Sequence, residues 1–177
     1  MFSEEQQQIL LNLARATVEN EFIKKQIDGN LLDDPLFKQK LGAFVTIHKK
    51  KQLRGCIGSI LAKSSLIETI TTMAKKAAFH DPRFSQLKYA ELEDITFEIS
   101  ILSPLSLVED VSKISVGTHG LMLQMNGKSG VFLPQVPIEQ EWNRIEYLDH
   151  LCLKAGLPIS SWKKADLYQF TATVFSE

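Results

Sequence analysis

GAFVTIHKKKQLRGCIGSIL, residues 42–61, contains two β-rich runs on either side of a polar connection, and its reading decides the fold. GAFVTIH and LRGCIGSIL each have the length and branched apolar content of a strand, so the stretch is expected to form an antiparallel hairpin even though its KKKQ turn has no glycine. A second hairpin is expected at Asn126-Gly127, between HGLMLQM and SGVFLP, because both central residues of the favoured two-residue turn need positive φ. ITFEISIL (95–102) alternates, with Ile95, Phe97, Ile99 and Ile101 on one face and Thr96, Glu98 and Ser100 on the other, as a half-buried antiparallel strand does. DLYQFTATVF (166–175) reads as one closing strand.

Three helices are expected between and around these strands. Ser3 with Gln6 forms a capping-box pattern, and Ile9, Leu13, Ala16, Ile23 and Ile27 recur at near-helical spacing until Asp28-Gly29-Asn30, which predicts a helix over the first 28 residues. Leu66, Ile67, Ile70, Met73, Ala74 and Ala77 make the stripe of a second helix that His80-Asp81-Pro82 ends, so the segment 62–92 is helical in character. A third runs from about Ile138 through Trp142, Ile145, Leu148, Cys152 and Ala155 to Gly156, with Pro158 beyond. Hairpins mixed with helices, without alternating βαβ units, predict an α+β fold of largely antiparallel sheets flanked by helices. No repeat, low-complexity tract or linker divides residues 1–177, which are read as a single domain of one or two lobes.

Composition narrows the function classes. The 177 residues are 44% hydrophobic, with 20 basic and 21 acidic side chains. That excludes disordered, collagen-like and disulfide-framework chains. Residues 1–88 carry 14 basic and 9 acidic side chains and residues 89–177 carry 6 and 12, an asymmetry too mild for a dedicated duplex-DNA binder. Only Lys49, Lys50, Lys51 and Arg54 group tightly, so no strong nucleic-acid signal exists. No apolar run approaches the roughly 20 residues of a membrane span, and the acidic start MFSEEQQQIL is unlike a signal peptide, which predicts a cytoplasmic protein without membrane contact. Cys56 and Cys152 are expected as free thiols.

The chemistry concentrates in Leu53-Arg54-Gly55-Cys56-Ile57-Gly58. Strand alternation would place Arg54, Cys56 and Gly58 on one face, a cation beside a thiol whose thiolate it would favour. Gly55 and Gly58 within a strand mark a bulge or the close approach of a ligand or another backbone. Two readings stand: a site in which Arg54 holds an anion and Cys56 reacts, or a packing motif in which Cys56 is a small buried group and Arg54 a structural ion pair. His80-Asp81-Pro82-Arg83-Phe84 follows the second helix, and His80, like His48, is a candidate base for Cys56. The same residues are also ordinary helix-terminating and turn-forming types. Glu98 is either a buried carboxylate or an outward-facing one. Gln135, after Leu133-Pro134, could bind a ligand or end a strand. His and Cys spacings support no metal site, and without GxGxxG or GxxxxGK[ST] no nucleotide cofactor is implied.

These segments, in order, are LRGCIGSI, AAFHDPRF, EDITFEISILSPL, GVFLPQV and LDHLCLKAGLP, followed by Trp162. Their combination resembles the AMMECR domain family, also called AmmeMemoRadiSam system protein A, over essentially the whole chain. The resemblance implies two closely packed α+β lobes, with LRGCIG near the groove between them. It carries over the motif positions Arg54, Gly55, Cys56, Gly58, Asp81, Pro82, Arg83, Phe84, Pro134 and Gln135, and it implies no known reaction. It also implies an association with Memo-like and radical SAM proteins. The expectation is an enzyme or enzyme subunit, with Cys56 and His80 catalytic, and with Arg54, Gly55, Gly58, Asp81, Arg83 and Gln135 holding a small anionic or nucleotide-like ligand. The alternative is a non-catalytic binding or scaffold module.

Overall fold

Ser3 accepts from the Gln6 N–H while the Gln6 side chain accepts from the Ser3 N–H, and this reciprocal cap starts helix α1, Glu4–Glu19. The structure, a computed structural model, describes residues 2–24, 32–61 and 63–177. Leu10, Leu11, Leu13, Ala14 and Val18 of α1 are buried. The helix expected over the first 28 residues is interrupted earlier, because α1 ends with Asn20 as its C-cap and residues 20–24 are not helical. Ile23 lies beyond it and is 42% exposed. Ile27 and Asp28-Gly29-Asn30 lie outside the described residues.

The chain folds into two compact units, residues 1–102 with 173–177, and residues 103–172. The first unit has a four-stranded antiparallel sheet built from β1 (Ala43–Lys49), β2 (Gln52–Ser59), β3 (Ile95–Leu102) and β8 (Ala172–Ser176), in the order β2-β1-β3-β8. Helix α2, Leu66–Phe79, is capped reciprocally by Ser65 and Glu68 and ends at His80, as the sequence predicts. It packs on β1 and β2 while α1 packs on α2 and β3. Ala43, Val45 and Ile47 of β1 and Ile95, Phe97, Ile99 and Ile101 of β3 meet the helices in one core. Alternation therefore turns Phe44, Thr46, His48, Thr96, Glu98 and Ser100 to the other face. Arg15 of α1 donates from Nε to Glu177 Oε1 at 2.7 Å and from Nη2 to the Ile95 carbonyl at 2.8 Å, tying α1 to both β3 and the chain's last residue.

In the second unit the sheet order is β4-β7-β5-β6, from Ser106–Leu107, Asp166–Phe170, Gly120–Met125 and Lys128–Phe132. Asn126 and Gly127 have φ of 52° and 76°, the two-residue turn expected there. The expected third helix is two helices. α3 (Val136–Glu139) stops before Glu141, at φ 56°, and α4 (Arg144–Lys154) restarts on an Asn143 cap reciprocated by Glu146. The apolar spacing from Ile138 to Ile145 continues across this break, yet both side chains are exposed, at 58% and 52%. Tyr147, Leu148, Leu151 and Cys152 of α4 cover Leu121, Leu123 and Leu167. The expected single closing strand is likewise two: β7 belongs to the second unit's sheet and β8 to the first, with Thr171 between them. Ser103 takes over the pairing at that point, accepting at Oγ from the Thr171 N–H and donating its own N–H to the Thr171 carbonyl.

The β1–β2 turn consists of Lys50 and Lys51 at φ 50° and 67°, conformations that suit Asn-Gly and cost an L side chain roughly 1 kcal/mol each. The double variant Lys50→Asn, Lys51→Gly is therefore expected to gain about 1 kcal/mol in urea unfolding at unchanged m-value, and an unchanged midpoint would show the lysine turn to be unstrained.

Candidate functional site

The two-residue turn fixes the pair Lys49–Gln52, and continued without interruption it would set Ile47 against Arg54 and Val45 against Cys56, on the core face. The register instead slips by one between Ile47 and His48, so His48 faces Leu53 and Ile47 faces Gly55. Arg54 is the extra residue of a β-bulge. A one-residue slip exchanges the faces of everything after it. Gly55 is thereby turned to the helices, and Cys56 and Gly58 to the outer face opposite Thr46 and Phe44.

Each motif position has a physical consequence. A Cβ on Gly55 would lie 2.1 Å from the Ala77 carbonyl oxygen, so the missing side chain is what allows α2 to rest on β2. A Cβ on Gly58 would lie 2.2 Å from the Phe44 ring, which lies over that glycine. Arg54, at the bulge where alternation no longer sets its direction, reaches Glu91, donating from Nε and Nη2 at 3.0 Å each. Glu91 also takes Lys49 Nζ and the Lys88 N–H, both at 3.0 Å. These bonds, Arg54's foremost, outweigh burial and hold the Glu91 pKa at about 2.

β2 is an edge strand, and two side chains occupy the hydrogen-bonding groups at its centre. Asp81 Oδ2 accepts from the Cys56 N–H at 2.9 Å, and Arg83 Nη2 donates to the Cys56 carbonyl at 3.2 Å. Arg83 in turn grips Asp81 through Nε at 3.0 Å and Nη2 at 2.8 Å. The Asp81 side chain is 1% exposed and that of Arg83 55%. The Arg83 bonds outweigh burial and hold the Asp81 carboxyl well below the usual carboxylate range. Pro82 between them follows the helix end that places both side chains against β2.

Cys56 itself is half-buried, and the Thr46 hydroxyl donates to its sulfur at 3.2 Å. Thr46 also pairs with Glu98, so thiol, hydroxyl and carboxylate form a row across three strands. The Glu98 and Cys56 backbones lie two strand spacings apart, roughly 10 Å, and no hydrogen bond joins the two side chains among the described residues. His80 is exposed and its ring makes no hydrogen bond to Cys56, and His48 lies opposite Leu53 rather than Cys56. Arg54, Gly55, Cys56, Asp81 and Arg83 are thus joined through β2, with Gly58 two residues along. Gln135 is exposed in the second unit, its carbonyl accepting from the Ile138 and Glu139 N–H groups. Thr46 and Glu91 escape a reading of the sequence. Glu91 lies 37 residues from Arg54, and Thr46 becomes a partner only through the bulge. Among the described residues no three or more His, Cys, Asp or Glu side chains gather as a metal site would require, and no helix is long and apolar enough to cross a membrane.

The AMMECR1 family model matches residues 11–175. The chain belongs to the AMMECR1 family. A protein of Methanococcus aeolicus is 44% identical over 159 residues, covering 83% of this chain and 80% of its own. One from Methanocaldococcus jannaschii is 40% identical over 174 residues, covering 93% and 86%. The crystal structure of the uncharacterized protein PH0010 from Pyrococcus horikoshii superimposes with a TM-score of 0.82 at 36% identity, covering 95% of this chain and 89% of that one. The chain is accordingly a mixed α+β fold with two antiparallel sheets, as expected from the sequence.

Gly55→Ala must displace α2 or β2 and is expected to cost about 2 kcal/mol or more by urea unfolding, and a loss under about 0.5 kcal/mol would show that the helix yields freely. Glu91 and Asp81 bind protons less readily folded than unfolded, so their contribution is complete above the unfolded carboxylate pKa, near 4.5, and drains as pH falls toward the folded value, about 2 for Glu91. Urea midpoints between pH 5 and pH 2.5 should fall more steeply for the wild type than for Glu91→Gln, and parallel curves would remove this linkage.

Proposed function

We propose that this AMMECR1-family chain is an enzyme or enzyme subunit in which Cys56 is the reactive group and the substrate is small and anionic. The observation carrying this reading is the fixing of Cys56: its N–H and its carbonyl are both held by side chains while its sulfur accepts a hydroxyl hydrogen bond. Held at three points, the sulfur meets an incoming substrate in one orientation, which lowers the entropic cost of attack. The anionic character of the substrate rests on Arg83, which is more than half exposed beside Cys56 and bonds Asp81 and Cys56 through Nε and Nη2, leaving Nη1 without a hydrogen bond among the described residues. Arg54, bound at two points by Glu91, acts instead as a structural tie. His80 would serve as base only after turning toward the sulfur on substrate binding.

A second reading, a non-catalytic module for a Memo-like or radical SAM partner, is favoured by one observation. Arg54, Gly55, Gly58 and Asp81 all meet needs of the fold, and neither His48 nor His80 hydrogen-bonds the thiol.

Cys152 is fully buried, and burial pushes its thiol pKa up, so it serves as the internal control in a test with iodoacetamide. Cys56 is expected to react at pH 7 faster than glutathione in the same buffer, despite its half-burial. Thr46→Val should slow it about threefold, matching the loss of one hydrogen bond. A rate below that of glutathione and indifferent to Thr46→Val would overturn the nucleophile in favour of the module.

A further inference from the structure

Away from Cys56, the first unit carries a groove of about 580 Å³ lined by Arg15, Glu19, Ile23, Tyr89, Leu92 and Glu93. Its volume falls in the range of recognition sites. Two large side chains stand half in water at its rim, Tyr89 at 59% and Ile23 at 42% exposure. The Tyr89 ring is braced by Phe22 edge-on, centroids 6.0 Å apart, and Phe22 is itself backed by Phe79 at 5.7 Å. An exposed aromatic held in one orientation loses little conformational freedom on binding, the condition under which Tyr becomes an interface anchor.

Of the groove's charged lining residues, Arg15 and Glu19 are already paired, which leaves Glu93 to meet an incoming charge. Arg15 is committed inward: Nε and Nη2 bind Glu177, Nη2 and Nη1 bind the Ile95 and Leu92 carbonyls, Glu19 lies 3.8 Å away, and the guanidinium sits 5.2 Å over the Phe97 ring. It has little capacity left for an incoming anion. Glu93 and the adjacent Asp94 are exposed, and among the described residues neither is in an ion pair. A small organic cation would answer Glu93 and the Tyr89 ring face but leave Ile23, and most of the exposed Tyr89 surface, in water. A chain segment with an apolar residue beside a lysine or arginine would cover both, its cation also meeting the Tyr89 ring face.

We infer that this groove docks a partner protein through a segment bearing a lysine or arginine next to an aliphatic residue. The proposal is independent of Cys56 and of what reacts there.

The test uses the full-length ¹⁵N-labelled protein titrated with the probe acetyl-Leu-Arg-Leu-Lys-Leu-amide, with the counterpart in which both cations are glutamate, and with arginine amide. Saturable shifts at Ile23 and across Tyr89–Glu93 are expected with the basic peptide alone. Glu93→Lys should weaken them about tenfold or more, and Tyr89→Ala, at an exposed position, should do so without loss of fold. Equal response to the acidic peptide, indifference to Glu93→Lys, or no saturable shift would each overturn the proposal. Arginine amide binding as tightly as the peptide would overturn it in favour of a small-molecule site. Concentration-dependent dimerisation lost in Tyr89→Ala would do so in favour of a second copy.

Discussion

Asp81 carries a charge that the fold has taken almost wholly out of water, and the first unit is arranged around keeping it paired. An isolated buried carboxylate would be very costly, yet here two arginine nitrogens and two backbone N–H groups, those of Cys56 and Arg83, converge on it. The same bonds close the middle of an exposed sheet edge, because Asp81 takes the N–H and Arg83 the carbonyl of one residue of β2. An edge that would otherwise present free backbone groups to another chain is blunted there by side chains. The contact is delivered by the end of α2 and by Pro82, which bring both side chains against Cys56 of β2.

The bulge at Arg54 is the second constraint, and it acts by parity. Inserting one residue between turn and strand centre sends Gly55 inward and Cys56 outward. Without it the thiol would face the helix core, and a side chain in place of Gly55 would face out. The second unit solves a related problem in the same way: a Cβ on Gly130 of β6 would lie 2.8 Å from the Leu151 carbonyl oxygen, so a strand glycine again admits a helix backbone. Glycine at these two strand positions marks where a helix crosses closely.

Most elements were legible because their signals are local. The α2 stripe, the β3 alternation and the Asn-Gly turn each satisfy one period or one turn geometry and needed no distant partner. Three boundaries were not. α1 ends early although the apolar spacing runs on, the α3–α4 break falls inside a continuous pattern, and β7–β8 reads as one run although its halves pair in different sheets. Sheet pairing decides the β7–β8 boundary, while local caps at Asn20 and Asn143 decide the two helix boundaries, and apolar spacing alone carries none of them. Within the candidate site, Arg54, Cys56, Asp81 and Arg83 could be singled out by type and motif. Their partners Glu91 and Thr46 could not, since one lies across a long sequence separation and the other depends on a register that only the bulge sets.

The exchange of the last strand between sheets has a consequence for synthesis. Residues 103–172 are inserted into the first unit's chain, whose sheet lacks the β8 edge, and whose Arg15 lacks its carboxylate at Glu177, until residues 172–177 have been translated. The inserted unit has all its strands and helices within one continuous stretch and can close as soon as that stretch leaves the ribosome. The first unit has β1, β2 and β3 ahead of that stretch and β8 behind it, so of the two units the one whose chain comes first is completed second.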